Sequence, residues 1–260
     1  MRQFPQPIPY QGSKRKLAPQ ILQYFPVDTA TLYEPFAGSA AMSIAAAQAG
    51  QAESFVIGDS LAPMVGIWEM MLHRPLALAD GYEQLWESQA GDERAFYDRV
   101  RREFNGDQDP VKLLYLLARC VKNAVRFNAD GAFNQSPDNR RKGVRPTTLR
   151  KRILAVNTLL ADRTTVYTGD YESALEQAGP KDLVYMDPPY MGVSGVRDGR
   201  YHQGLDIERF TQALGKANER GVRYLISFDG RKGSMTYGPP LPERLKLRRL
   251  EVHAGRSSQA

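Results

Sequence analysis

Asp182-Leu183-Val184-Tyr185-Met186-Asp187-Pro188-Pro189-Tyr190 is the stretch on which the reading of the fold turns. Its first half is a short apolar run bounded by aspartates, the pattern of a strand. Its second half ends that strand, because two consecutive prolines have no N–H to give to a ladder. The prolines also fix a rigid loop whose carbonyls and the Asp187 carboxylate point into a crevice at the strand end. Tyr190 then offers an aromatic face. An acceptor, backbone carbonyls and a stacking ring can together hold a planar group bearing an NH2. The plainer reading, a strand-ending turn with a surface tyrosine, loses ground when the flanking sequence is taken in.

Working outward, the same punctuation recurs. Thr31–Glu34 (TLYE) leads into PFAGSA and then a helical SIAAAQA stopped by Gly50. Ser54–Asp59 (SFVIGD) leads to another helical stretch. Thr164–Asp170 (TTVYTGD) and Val222–Phe228 (VRYLISF) are further strands, with helical pieces at 172–178 and 206–220. Strand and helix alternating at this spacing imply an α/β fold with a doubly wound, Rossmann-like parallel sheet, whose ligands lie at the C-terminal ends of the strands. From Leu61 to Thr148 the pattern differs: helical periodicity without convincing strands, turning irregular from Phe127 onward. The economical division is a catalytic α/β domain of residues 1–60 and 163–260 carrying a mainly helical insert of residues 61–162.

Bulk composition permits this. The 260 residues are 42% hydrophobic, enough for a sizeable core, and the formal net charge is +6 with a pI near 9.4, which favours an anionic partner. A single cysteine, Cys120, excludes an internal disulfide and suits a reducing, cytoplasmic compartment. It sits in LLYLLARCVKNAV, which reads as a buried helix. The start MRQFPQPIPY lacks the apolar core of a signal peptide, and no apolar run is long enough for a bilayer. His73, His202 and His253 are too scattered to suggest a metal.

Three further segments bear chemistry. Glu34-Pro35-Phe36-Ala37-Gly38-Ser39-Ala40 lies between a strand and a helix, where a glycine lets the backbone turn tightly and approach a ligand. Asp59 closes the next strand, where an acid can hydrogen-bond both hydroxyls of a ribose. Tyr10-Gln11-Gly12-Ser13-Lys14-Arg15-Lys16 precedes the first strand; Ser13 is placed to cap a helix Lys14–Tyr24. Lysines at a helix N-terminus oppose the macrodipole, and a ligand carboxylate or a phosphate would supply a reason for them. Finally, Asn139–Arg152 holds Arg140, Arg141, Lys142, Arg145, Arg150, Lys151 and Arg152 without one acidic residue, preceded by Phe127, Asn128, Phe133, Asn134 and Gln135. Cations for phosphates beside amides for base edges point to nucleic acid.

Together these segments resemble the Dam-type, or D12-class, adenine-N6 DNA methyltransferases. Tyr10–Lys16 resembles their N-terminal cofactor motif, EPFAGSA their FxGxG motif, and DPPY their catalytic tetrapeptide. Within the insert, RFNADGAFNQSPDN resembles their RYN…GEFN segment, and HAGRSSQA their C-terminal region. The resemblance spans nearly the whole chain. It implies S-adenosylmethionine as cofactor, held by Tyr10, Lys14, Glu34, Pro35, Phe36, Ala37, Gly38 and Ser39, with Asp59 on its ribose and Asp170-Tyr171 on its adenine side. It implies Asp187, Pro188, Pro189 and Tyr190 as the catalytic group acting on a flipped adenine. It implies double-stranded DNA as partner, met by Arg126, Asn128, Asn134, Arg140, Arg141, Lys142 and Arg145. It implies neither metal nor membrane, a monomer or weak dimer, and a DNA-associated bacterial or phage-type setting.

Two departures stand out. Ala40 occupies the second glycine of FxGxG, which is expected to weaken cofactor affinity. A strand Leu245–Val252 is expected near the end, and the family usually continues into one more, so the sheet's end is expected to be incomplete. A cytosine-N4 methyltransferase uses the same amino-group chemistry and stays open, as does a catalytically silent DNA-binding homologue. Methylation of RNA or of a protein glutamine leaves the basic tract without a purpose, and a Rossmann oxidoreductase would need a better GxGxxG than FAGSA.

Overall fold

Strands form where β-branched and aromatic residues cluster between Gly, Pro and Asp. The computed structural model describes residues 4–189, 205–227, 231–232, 235–236 and 241–252. Thr31–Glu34 (β1), Ser54–Asp59 (β2), Thr164–Thr168 (β3), Leu183–Met186 (β4) and Arg223–Ile226 (β5) make one sheet, ordered β3-β2-β1-β4-β5. Every pairing in it is parallel. The order reverses beside β1: β2 pairs on one side and β4, some 150 residues later, on the other. Such a switch point leaves a crevice at the C-terminal ends of the strands that flank it.

Both sheet faces are covered, and side-chain parity assigns each residue to one of them. Leu32, Leu183 and Tyr185 join a core with α1 (Ala18–Ile21), α2 (Ala41–Ala49) and α3 (Ala62–His73). Tyr33, Val184 and Met186 join another with α8 (Tyr171–Gln177) and α9 (Ile207–Glu219). Each such side chain, sealed from water, contributes roughly 1.5–3 kcal/mol. The first core runs on without a break into α4 (Pro75–Ser88), α5 (Glu93–Asp107), α6 (Pro110–Arg119) and α7 (Pro146–Leu160), through Trp68, Tyr82, Tyr97 and Tyr115.

Three sequence expectations are corrected. The helix expected over Lys14–Tyr24 is broken into a 3-10 turn Lys14–Lys16, the short α1 and a second 3-10 turn Leu22–Tyr24. Pro19 in the first turn of α1 has no N–H for a bond back to the preceding turn. Ser13 makes no capping hydrogen bond. The helix around Cys120 stops at Arg119, because Cys120 is extended and pairs with Pro137 while Val121 donates to Ser136 O. Leu245–Val252 forms no strand. A 3-10 turn ends at Leu245, Lys246 turns left-handed at φ 52°, and Leu247 and Leu250 lie at the surface. Tyr190 and His253–Ala260, assigned above to catalysis and to a family-like terminus, lie outside the described residues.

Candidate active site

The crevice at the switch point is where the sequence motifs meet. Glu34 ends β1 and is almost fully buried. Its carboxylate accepts from the backbone N–H of Met42 (3.3 Å) and Ser43 (2.7 Å) and from Ser43 Oγ (2.6 Å). These are orphan donors of the first turn of α2, whose own N-cap position, Ala40, gives no side-chain bond. A strand residue therefore caps the following helix. Burial pushes the Glu34 carboxyl up to about 7 even against those hydrogen bonds.

The turn from β1 to α2 is held just as firmly. Asp59, at the end of β2, accepts from Gly38 N–H (2.9 Å) through one oxygen and from Leu61 N–H (3.0 Å) through the other. Burial raises its carboxyl, opposed by those same bonds. Trp68 Nε1 donates to Gly38 O at 3.0 Å. Gly38 has φ 47°, and a Cβ there would stand 2.9 Å from the Tyr10 ring, so glycine is required.

Across the crevice, β4 delivers Asp187. Lys14 Nζ donates to both its oxygens, at 2.7 and 2.6 Å, and reaches Gly12 O at 3.3 Å. Both side chains are mostly buried, 12% and 20% exposed. The lysine that opposes a helix dipole thus answers a carboxylate of its own chain. Ser39 Oγ donates to Ser13 Oγ at 3.0 Å, joining the turn to the N-terminal motif.

Ser13, Lys14, Glu34, Ser39 and Asp187 line one open cleft of about 530 Å³, a volume that takes in solvent at its mouth. Of the residues expected to hold a cofactor, Tyr10, Lys14, Glu34, Phe36, Ala37 and Ser39 line it, and Asp187, Pro188 and Pro189 form the opposite wall. Pro35, Gly38, Asp59, Asp170 and Tyr171 are not among its lining residues. Asp170 caps α8 through Tyr171 N–H (2.7 Å) and pairs with Arg209 at 2.8 Å. The Tyr171 ring stacks on Phe36 at 5.4 Å and meets Phe210 edge-on at 5.1 Å.

Sequence reasoning missed Ser13 as a cleft residue, along with Gln11, Gly12 and Ala41. The first three lay within a motif already singled out. Trp68 carried no signal beyond an apolar helix position.

The residues expected at DNA stand apart from the cleft. Asn128 Oδ1 accepts from Asp130 N–H (3.1 Å) and Ala132 N–H (2.8 Å), so its side chain holds the turn between the paired Phe127 and Phe133. Arg126 and Asn134 are exposed and joined through Asn134 N–H to Arg126 O. Arg140 and Arg141 both reach the buried Asp138 (3.0 and 3.2 Å), and Lys142 reaches Glu93 at 2.7 Å. Arg145 is exposed at the N-cap of α7. One link returns to the cleft: Gln11 N–H donates to Asn123 O at 2.9 Å.

Comparison with known proteins gives a consistent picture. A model of the D12 class N6 adenine-specific DNA methyltransferase family matches residues 10–233. The DNA N-6-adenine-methyltransferase of Escherichia phage P1 is 25% identical over 232 residues, covering 84% of this chain and 29% of the phage protein. The modification methylase StsI of Streptococcus sanguinis is 25% identical, covering 85% and 35%. The chain therefore spans roughly a third of the length of those two relatives. The type II methyltransferase M1.LlaDCHI of Lactococcus lactis subsp. cremoris is 25% identical over 83% of this chain and 78% of its own.

Proposed function

The chain belongs to the D12 class of N6 adenine-specific DNA methyltransferases, and from that premise we propose that it moves a methyl group from S-adenosylmethionine to N6 of an adenine flipped out of duplex DNA. The observation that carries this is the meeting of Asp187, Pro188 and Pro189 with Lys14 across one cleft at the sheet's switch point. The donor set of the cleft fits the cofactor's chemistry. The rings of Tyr10 and Phe36 offer faces to a cation, and polar atoms of Ser13, Glu34 and Ser39 share the same lining. Tyr10, Lys14, the Glu34–Ser39 turn, Asp59, Asp170 and Tyr171 would hold the cofactor, which supplies a methyl group made electrophilic by a positive sulfonium.

The remaining work falls to the protein. The adenine amino group is a poor nucleophile because its lone pair is delocalised into the ring. Asp187 and the Pro188 carbonyl accept hydrogen bonds from its two N–H groups and draw the nitrogen toward tetrahedral geometry, with Tyr190 stacking on the base; the methylated nitrogen then sheds one proton to solvent. Lys14 holds both Asp187 oxygens at 2.7 and 2.6 Å and so fixes where that carboxylate stands at the cleft wall. Positioning and electrostatics suffice because no covalent intermediate is needed. Base extrusion exposes N6 to these groups. In this reading residues 1–60 and 163–260 do the chemistry and residues 61–162 meet DNA, with Arg126, Asn128, Asn134, Arg140, Arg141, Lys142 and Arg145 on that side. Among the described residues no helix is long and apolar enough to cross a membrane, and no cluster could hold a metal ion.

The test is incubation of the protein with duplex DNA of known sequence and methyl-labelled cofactor, with modified positions mapped. Label on adenine N6, lost in Asp187→Ala, is the expected result. Label on cytosine N4 instead, or none, would overturn the assignment.

A further inference from the structure

The loop that carries the basic side chains has almost no secondary structure of its own; its described ladder contacts are two isolated bridges, Cys120 to Pro137 and Phe127 to Phe133. Five of its carbonyls are nevertheless held by side chains of the neighbouring helices. Tyr97 Oη donates to Gln135 O at 2.8 Å, Gln89 Nε2 to Lys142 O at 3.2 Å, and Tyr82 Oη to Val144 O at 2.7 Å. Between them, Arg119 Nη1 donates to Asp138 O at 3.2 Å and to Arg141 O. The Arg119 carbonyl receives Asp138 N–H at 2.8 Å. Tyr82, Tyr97, Gln89 and Arg119 are at most 2% exposed. With those carbonyls drawn inward, the loop sends its side chains outward: those of Arg140, Arg141 and Lys142 are 87%, 40% and 63% exposed.

Arg119 is the odd member of this set. A buried guanidinium is costly to desolvate, and an apolar side chain of similar volume commonly serves a core at least as well. Its Nε finds no partner among the described residues. Its described hydrogen bonds go to two loop carbonyls, with Tyr115 close by. At Gly143 (φ 90°) a Cβ would lie 3.1 Å from Tyr82 Oη and 3.3 Å from Arg119 Cδ, so the loop backbone rests directly on these side chains. Asp138 and Glu93 hold the three outward cations in place at rest. The exposed Lys142–Glu93 pair yields readily to a phosphate, whereas Arg140 and Arg141 stay anchored on Asp138, and Arg141 also gives Nη2 to Cys120 O at 2.8 Å.

Resting on the DNA-modifying function proposed above, we infer that Arg119 is a positioning residue for DNA binding: it fixes residues 138–145 so that Arg140, Arg141, Lys142 and Arg145 form one preformed basic surface for duplex phosphates. Arg119 itself touches no DNA. Its contribution is that the loop loses little conformational freedom on binding.

The test compares full-length protein with Arg119→Met in three measurements: cofactor affinity by calorimetry, backbone amide exchange, and affinity for duplex DNA across a salt series. Expected are unchanged cofactor affinity, faster exchange confined to 138–145, and DNA binding weakened about tenfold. A role in overall stability alone would instead speed exchange throughout α5 and α6. Tyr82→Phe removes a single hydroxyl and cannot unfold the core; it should weaken DNA binding about threefold by the same route. DNA affinity within twofold of wild type in both variants would overturn the inference while leaving the proposed function standing. Absence of DNA binding by the wild type would overturn both.

Discussion

The cleft and the basic loop solve the same problem, holding charge in a fixed place, in opposite ways. In the cleft the charges face inward, and the sheet delivers them: Glu34, Asp59 and Asp187 each sit at the end of a strand and each take at least two hydrogen bonds. In the loop the charges face outward, and buried side chains from α4, α5 and α6 hold the backbone by its carbonyls. Charges in the low-dielectric cleft interact strongly and one at a time; those on the loop are screened, individually weak and roughly additive. Single substitutions should therefore act steeply in the first region and by degrees in the second.

The steepest case is Asp187→Ala. On the proposed mechanism it removes the acceptor for the substrate amino group; it also takes away the carboxylate that Lys14 bonds, and leaves the turn at Gly38 and Asp59 intact. Turnover should fall about a thousandfold, the scale of losing a preorganised electrostatic group, while cofactor affinity by calorimetry stays within about threefold. Parallel loss of both would place Asp187 in cofactor binding and blur the contrast.

Next is Glu34, whose carboxyl is raised by burial to about 7. The folded chain therefore binds its proton more tightly than the unfolded chain, for which about 4.3 is usual. The stabilising proton is fully present below about pH 4, and its benefit fades as pH rises to 7. Relative to Glu34→Gln, wild type should lose on the order of 3 kcal/mol of stability across that window. Paired urea titrations at pH 5 and pH 7.5 measure it. A constant difference would mean that the α2 N–H donors stabilise the anion enough to cancel its burial.

On the loop, reversing Arg140, Arg141 and Lys142 to glutamate should weaken duplex binding by about tenfold at physiological salt. The slope of log affinity against log salt should flatten by about 0.9 for each phosphate that is no longer neutralised. An unaltered slope would take these residues off the DNA face and leave the loop's ordered backbone without a purpose there.

The two regions also differ in how far the sequence disclosed them. β1 and β2 begin and end on the residues where TLYE and SFVIGD do, and a parallel sheet puts all its strand C-termini on one edge. EPFAGSA and DPP could thus be brought together from the strand pattern alone. What stayed hidden was who neutralises whom. Lys14 and Asp187 are 173 residues apart, and a lysine's spacing says nothing of its partner. Arg119 and Trp68 read as positions in apolar helices because their contacts are with backbone carbonyls, which every residue has. The break at Pro19 was visible as a proline yet masked by the helical pattern around it. Leu245–Val252 had strand-like alternation, but the left-handed Lys246 ends the turn before it and leaves its leucines at the surface.

The smallest expected effect concerns Ala40, the residue standing where the family motif has glycine. Its backbone is left-handed (φ 42°, ψ 48°), a conformation that costs an L-residue roughly 1–2 kcal/mol. Ala40→Gly relieves that strain. It also deletes a fully buried methyl, worth about 0.8 kcal/mol, and loosens the unfolded chain by roughly 0.4–1 kcal/mol. The terms nearly cancel, so stability should change by less than about 1 kcal/mol. Because Ala40 is fully buried in the core and, unlike Ala37, Ser39 and Ala41, does not line the cleft, cofactor affinity should stay within about twofold. The sequence alone suggests the opposite, a methyl beneath the cofactor. A large gain in affinity for Ala40→Gly would mean that strain at the head of α2, rather than side-chain bulk, reaches the cleft through Ser39 and Ala41. The inward-facing region would then be less rigid than its hydrogen bonds imply.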